Sequence, residues 1–210
     1  PAVTSDGTEI ALMSNVGSSA EAREASELGA DGIGLLRSEL VFMSSRFFLD
    51  EDSQYEAYRD AVLAMGGQPV TIRTLDIGGD KFIGEENPLA EHNPNLGYRS
   101  TRVLLDRPEL LISQFRAILR ASVHGPTRIL VPMISSVDEM REVIRRLEDA
   151  KEQLRREGVE FDEVIVVDNA STDGTAALIE TEFPDVRFIR LEFNGPGWES
   201  PSRGRRERTG

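Results

Sequence analysis

The chain has 210 residues, a length that fits one long domain or two short ones. It contains no cysteine, which excludes disulfide frameworks, thiolate zinc sites, iron–sulfur clusters and cysteine nucleophiles. The net charge of −13 argues against nucleic-acid and membrane partners, and no apolar run resembles a membrane span or a secretory signal, so we expect a cytoplasmic protein.

Short apolar runs alternate with amphipathic helical stretches over most of the chain. Several of the runs are almost continuously apolar, which is typical of strands that are buried on both faces. The predicted strands cover residues 9–13, 32–36, 69–73, 128–132, 163–167 and 187–191. Strand–helix–strand units at this spacing predict right-handed parallel crossovers, and therefore an α/β fold with an open sheet or a barrel.

Capping-box spacing, in which Ser or Asp is followed three residues later by Glu, predicts the starts of three helices. The pairs are Ser18 with Glu21, Asp106 with Glu109, and Ser136 with Glu139. The third pair opens the longest predicted helix, Val137–Arg156, which has an apolar face and i,i+4 ion pairs on its other faces. Gly158 suits the left-handed cap that follows it. Apolar stripes over residues 55–65 and 111–119 predict two more helices.

The last segment, residues 193–210, has no apolar periodicity. It carries four arginines and two glutamates, whereas the rest of the chain is strongly acidic. We therefore predict a mostly disordered basic tail, because such a segment cannot bury enough apolar surface to offset its ordering entropy. A basic arm for an acidic partner is the alternative.

Three arginines are candidates for anion binding. Arg37 and Arg73 each close a predicted strand, and Arg99 follows a loop-like stretch. Parallel α/β folds bind their ligands at the carboxyl ends of strands, and a guanidinium group is a planar, permanently charged donor suited to phosphate or carboxylate. The alternative is that each arginine forms an ordinary ion pair with an acid nearby, such as Glu39, Asp76 or Glu86.

Residues 73–81 contain several more groups that could contact an anion. Two glycines at 78 and 79 could present N–H groups to an anion, with Lys81 as a point charge and Asp76 placed to orient an arginine. The spacing is not that of a P-loop, and a glycine pair is often only a turn. The nearby carboxylates fix no metal geometry. The two histidines, His92 and His124, are expected at the surface or near a helix end, and no nucleophile–base pair supports a hydrolase.

Four motifs in order resemble one known family. They read GADGIGLLRSE over residues 29–39, RTLDIGGDK over 73–81, NPNLGYR over 93–99 and QFRAILRAS over 114–122. On these motifs, residues 1 to about 163 resemble the first half of the phosphoenolpyruvate-binding (TIM-type) barrel of enzyme I. Enzyme I is the phosphoenolpyruvate-protein phosphotransferase of the bacterial sugar phosphotransferase system.

The resemblance implies a partial (β/α) barrel over residues 1–162 and a function in phosphoryl transfer from phosphoenolpyruvate (PEP) to a protein histidine. It implies that Arg37 and Arg73 hold the phosphate of PEP, with Arg99 close by. In the family Mg²⁺ bridges the substrate, the histidine lies on another domain, a small phosphocarrier protein accepts the phosphoryl group, and the barrel domains associate as dimers. Because this sequence lacks the family's histidine and magnesium carboxylates, we expect the 210-residue chain alone to be inactive.

Residues 163–192 resemble a second family, the GT-A glycosyltransferases. The motif is VVDNASTDGT over residues 166–175, and the resemblance implies a short βαβ segment in which Asp168 contacts a nucleotide. The alternative is a strand followed by an Asx-type turn. Together the two resemblances predict a chimeric junction near residues 161–163, with a nucleotide-sugar-binding module or a non-catalytic fragment as alternative functions. The apolar strand 164–167 could also pair in the main sheet.

Overall fold

A computed structural model of the chain describes residues 2–43, 50–78, 97–162, 165–168, 175–182 and 187–190. Eight strands and seven helices lie in these ranges. The strands are β1 Ala2–Val3, β2 Glu9–Ile10, β3 Met13–Val16, β4 Gly32–Arg37, β5 Val70–Arg73, β6 Thr127–Leu130, β7 Ile165–Asp168 and β8 Arg187–Arg190. The helices are α1 Ser19–Glu27, α2 Ser38–Met43, α3 Glu51–Ala64, α4 Thr101–Asp106, α5 Pro108–Ser122, α6 Val137–Arg156 and α7 Thr175–Glu182.

The main sheet has four parallel strands in the order β3-β4-β5-β6. This order follows the chain in one direction, as in a (β/α) barrel, whereas doubly wound sheets reverse direction at a switch point. The predicted α/β class is confirmed, and the arrangement is consistent with the partial barrel.

One predicted strand is divided in the structure. Instead of a single strand over residues 9–13, β2 pairs antiparallel with β1, and β3 begins at Met13 in the main sheet. The break is fixed by Leu12, whose N–H donates to the Asp31 carboxylate at 2.7 Å, and Gly7 closes the β1–β2 turn with a φ of +89°. Apolar patterning cannot distinguish these two pairings because both elements are short.

Two apolar clusters cover the sheet, and α5 contributes to both. Ala117 and Ile118 pack with residues of β4, β5 and α3 in the first cluster. Phe115 and Leu119 pack with residues of α4 and α6 in the second. The predicted apolar stripe of α5 is therefore wide enough to face two neighbours, and this helix joins the two halves of the core.

The capping predictions have different outcomes. Ser18 accepts from the Glu21 N–H, which confirms the start of α1, although the Glu21 carboxylate accepts from the Gly17 N–H and not from the N-cap residue. Ser136 forms the complete capping box with Glu139, so that prediction is confirmed in full. The Asp106 prediction is wrong: Asp106 ends α4, Arg107 is the N-cap of α5, and Pro108 is the first residue of that helix. The Asp106 carboxylate accepts instead from the Tyr98 hydroxyl at 2.8 Å. Proline favours the first helical position, and it sets this boundary one residue later.

The predicted βαβ segment is present as β7–α7–β8, with β7 and β8 parallel. The hypothesis that strand 164–167 joins the main sheet is wrong, because β7 pairs with β8 in a separate two-stranded sheet. Arg141 of α6 instead donates two hydrogen bonds of 2.9 Å to Glu182 of α7. The predicted tail, residues 193–210, lies outside the described residues, and the domain boundaries at 162/163 and 192/193 stay predictions.

Within the described ranges, no helix combines the length and the apolar composition needed to cross a bilayer.

Candidate functional site

Arg37 and Arg73 lie side by side at one edge of the main sheet. They are the last Cα partners in the β4–β5 register, and each is the final residue of its strand. Neighbouring strands are about 4.8 Å apart, so the two side chains start from adjacent positions. The structure therefore brings together two of the arginines that the sequence placed at strand ends.

The segment before α4 brings the third arginine to the same edge. Arg99 forms a β-bridge with Gly78, and the Ser100 N–H donates to the Ile77 carbonyl at 2.9 Å. The Thr101 hydroxyl donates to the Pro132 carbonyl at 2.6 Å, beyond the end of β6. Ser100 adopts a φ of +57°, which is costly for a residue with a Cβ. Contacts to the ends of β5 and β6 hold the chain in this conformation.

Asp76 joins two of the guanidinium groups. Its Oδ1 accepts from Arg99 at 3.3 Å (Nε) and 3.1 Å (Nη2), and its Oδ2 lies 3.2 Å from Nη1 of Arg73. Glu39 accepts from Nη2 of Arg73. We call Arg37, Arg73, Arg99, Glu39 and Asp76 the arginine cluster. The alternative that the arginines form ordinary ion pairs is therefore also confirmed for Arg73 and Arg99. These two arginines lie together because both bind the same carboxylate.

The arginine cluster is largely enclosed and keeps unused donors. The four ion-paired side chains are only 14–21% exposed. Buried Nε atoms of Arg37 and Arg73, and Oε2 of Glu39, have no hydrogen-bond partner within the described structure. An unpaired buried polar group costs about 1–3 kcal/mol, so these three atoms are unfavourable in the arrangement as it stands. Glu39 and Asp76 balance the charges of Arg73 and Arg99, and Arg37, which ends the neighbouring strand, adds a further positive charge at this end of the sheet.

Other predicted site residues lie elsewhere or cannot be placed. Lys81 lies outside the described residues, as does His92. Asp168 is the last residue of β7, in the separate sheet, and its side chain is outside the described set. His124 hydrogen bonds through Nε2 to the Tyr55 hydroxyl at 3.0 Å, in agreement with a structural role.

The described residues do not fit a magnesium site. Among them, no group of three or more His, Asp or Glu side chains is arranged to hold a metal ion. The two carboxylates of the arginine cluster, Glu39 and Asp76, are both engaged by Arg73. Cation binding at these two carboxylates would therefore compete with the ion pairs.

A concave region whose lining includes none of the arginine-cluster residues lies among the helices. It has a volume of about 610 Å³ and lies between α3, α5 and the end of α6. Its centre is an ion-pair network in which Arg116 donates to Glu51 at 2.5 Å and to Glu157 at 2.6 Å, and Arg120 donates to Glu51 at 2.6 Å. Hydrogen bonding to Glu157 raises the pKa of Arg116. The network joins three helices, which is a structural role.

Sequence reasoning missed the parts of the site that depend on contacts between elements. The sequence marks Glu39 only as a neighbouring acid, and it carries no signal for Ser100 or Thr101. Gln114 was noted only as part of a motif, although it is a polar residue on the apolar face of α5, next to Phe115. An amide at a predicted core position indicates a residue such as Gln114 that links other elements, because a buried amide needs hydrogen-bond partners.

Comparison with known proteins identifies relatives over most of the chain. The family model "PEP-utilising enzyme, PEP-binding domain" matches residues 1–169. Phosphoenolpyruvate-protein phosphotransferase of Haemophilus influenzae is 44% identical over 92% of this chain and 34% of its own length. The Cupriavidus necator protein of that name is 47% identical over 77% of this chain and 28% of its own. Multiphosphoryl transfer protein 2 of Escherichia coli is 40% identical over 89% and 21%.

The curated relatives are much longer than this chain. The chain spans about a third or less of the length of those named above. Among solved structures, a 2,3-dimethylmalate lyase of the PEP mutase/isocitrate lyase superfamily aligns with a TM-score of 0.42 at 12% identity, over 87% of this chain and 56% of that chain. None of these matches supports the glycosyltransferase resemblance, and the family match continues past residues 161–163 to residue 169. The chimeric junction stays a prediction.

Proposed function

Since the chain belongs to the PEP-utilising enzymes and carries their PEP-binding domain over residues 1–169, we propose that its arginine cluster binds the phosphate of phosphoenolpyruvate. The chain resembles a fragment of a phosphoenolpyruvate-protein phosphotransferase. In the proposed complex Arg37, Arg73 and Arg99 contact the phosphate, and Asp76 supports them. Lys81 is proposed as a further supporting charge.

One observation carries this proposal: the Asp76 carboxylate uses one oxygen for Arg99 and the other for Arg73. A single side chain thereby fixes two guanidinium groups at the edge where Arg37 also ends its strand. A cluster of this kind is unfavourable without counter-charges, because like charges repel in a partly enclosed site. Glu39 and Asp76 supply these counter-charges.

The chemistry suits a phosphoryl group. A guanidinium group presents five N–H donors in a planar fork, and phosphate oxygens accept them in pairs. In phosphoryl transfer the protein contributes chiefly by positioning the group and neutralising the charge that develops on its oxygens. Donors held by Asp76 and Glu39 need little rearrangement to do this.

The names of the relatives motivate proposals about the rest of the reaction. We propose that the complete protein transfers the phosphoryl group to a histidine on another domain and then to a phosphocarrier protein, with Mg²⁺ held outside the described residues. Association of two chains is a further proposal. The 210-residue chain alone is expected to bind PEP without turning it over.

Isothermal titration calorimetry with PEP tests the binding proposal. Arg37→Ala, Arg73→Ala and Arg99→Ala should each weaken binding on the order of tenfold or more, since a hydrogen bond to a charged group contributes about 1.5–3 kcal/mol. Arg146→Ala is the matched control, because Arg146 pairs with Glu142 and Asp149 on the outer part of α6. A uridine nucleotide serves as the control ligand. Unchanged PEP affinity in all three cluster variants would reject the site.

A further inference from the structure

Gln114 of α5 is a buried amide whose contacts reach the ends of two strands. It is 1% exposed, and its Oε1 accepts from the Leu75 N–H at 3.0 Å. Its Nε2 donates to the Ser38 hydroxyl at 3.1 Å and to the Tyr58 hydroxyl at 3.0 Å. Both donor hydrogens and one acceptor position of the amide are therefore used in the protein interior.

The two strand-end partners are next to the arginine cluster in the sequence. Ser38 lies between Arg37 and Glu39, and Leu75 directly precedes Asp76. The β4–β5 register ends at Arg37 and Arg73, so no ladder hydrogen bond from this register connects the chain beyond that point. Gln114 supplies a connection there, because one amide spans from the segment after β4 to the segment after β5.

We propose that Gln114 is a positioning residue that sets the separation of the two halves of the arginine cluster. Through Ser38 it holds the segment that carries Arg37 and Glu39, and through the Leu75 N–H it holds the segment that carries Asp76. Asp76 in turn holds Arg73 and Arg99. This inference rests on the proposed function for its meaning, since the cluster matters only if it binds an anion.

The chemistry requires an amide at this position. The site needs an acceptor for the Leu75 N–H and donors for two hydroxyl groups, and only an uncharged amide offers both without burying a charge. Tyr58 is fully buried, and burial raises the pKa of its phenol, so the hydroxyl stays protonated and can donate in turn to Gln54 at 3.4 Å. An apolar side chain at 114 leaves the buried Leu75 N–H without its partner.

The test uses three variants of the full chain. Gln114→Leu removes both hydrogen-bonding functions at nearly constant volume. Gln114→Asn keeps an amide, but its side chain is one methylene shorter and cannot reach Leu75 in the same way. This variant replaces Gln114→Leu in the experiment if the leucine variant does not fold. Gln54→Leu is the matched control, since Gln54 is a buried amide of the same network whose hydrogen bonds run to Tyr58 and Ser113.

Two measurements separate positioning from stability. The first is PEP affinity by calorimetry, where the Gln114 variants should bind on the order of tenfold more weakly and Gln54→Leu should bind like the native chain. The second is NMR: the Leu75 amide should exchange on the order of tenfold faster, and the side-chain Nε–H signals of Arg73 and Arg99 should shift or broaden, only in the Gln114 variants.

The outcomes distinguish this inference from the proposed function. If the native chain does not bind PEP, the proposed function fails, and the NMR signals alone decide whether Gln114 orders the cluster. If the native chain binds PEP and both Gln114 variants bind equally well, with unchanged Arg73 and Arg99 signals, Gln114 has no positioning role. Equal losses in Gln54→Leu and Gln114→Leu would also overturn the proposal, because the effect would then be one of general stability.

Discussion

Arg73→Lys separates the charge of the arginine cluster from its geometry. Arg73 is 19% exposed and uses different nitrogens for two carboxylates: Nη1 for Asp76 at 3.2 Å and Nη2 for Glu39. Lysine keeps the positive charge but has a single nitrogen, which cannot reach both acids and also present a fork to a ligand. The variant therefore loses one of two charge-assisted hydrogen bonds.

The expected magnitude follows from burial. A hydrogen bond to a charged group contributes about 1.5–3 kcal/mol, and the partial exposure of the pair reduces this, so Arg73→Lys should lower the free energy of unfolding by about 1–2 kcal/mol. The affinity for PEP should fall on the order of tenfold or more, because bidentate contact is lost. Urea unfolding followed by circular dichroism gives the first quantity, and calorimetry gives the second.

Arg146→Lys is the matched control for this experiment. Arg146 also contacts two carboxylates, Glu142 and Asp149, but it is 30% exposed and its partners are 29% and 51% exposed. Such surface pairs contribute about 0–1 kcal/mol, so this variant should be nearly neutral in stability and should bind PEP normally. If Arg73→Lys and Arg146→Lys have the same small effects, the geometric argument for the arginine cluster is wrong.

Three further predictions concern the scaffold. Phe115→Ala should lower the free energy of unfolding by about 3–5 kcal/mol in urea titrations, because Phe115 is 1% exposed in the second core cluster; a loss below about 1 kcal/mol would contradict this packing. Ser136→Ala removes the side-chain acceptor of the α6 capping box and should cost about 1 kcal/mol in the same assay, whereas no change would mean that the cap contributes nothing. The contact between α6 and α7 should weaken in acid. Hydrogen bonding to Arg141 lowers the pKa of Glu182 in the folded chain below its ordinary value of 4.5. The stabilisation is therefore present above pH 4.5 and is lost as the pH falls through the lower pKa of the folded chain. Hydrogen exchange in α7 should rise over that range in the native chain and show no such change in Arg141→Met, and equal pH dependence in both would refute the assignment.

Local signals in the sequence were sufficient for much of the fold. The limits of α6 are those predicted, because its capping box and its apolar repeat lie within the helix itself. The Asp106 prediction failed because the proline at 108 determined the helix start more strongly than the capping pattern. The predicted βαβ pairing of β7 with β8 is present, whereas the alternative pairing of strand 164–167 with the main sheet is wrong, because an apolar strand can pair with any available edge and its apolar residues do not select one.

By itself the sequence determined the α/β class, the family and the positions of Arg37 and Arg73 at strand ends, since each depends on residues that are close together in the chain. Only the tertiary structure decided that Asp76 holds Arg73 and Arg99 together and that Gln114 connects Ser38 to Leu75. These contacts join segments that are far apart in the sequence and depend on strand register, on the turn at Ser100 and on the placement of α5. Hydrophobic periodicity specifies which face of an element is buried, but it does not specify which polar groups meet beyond the end of a strand.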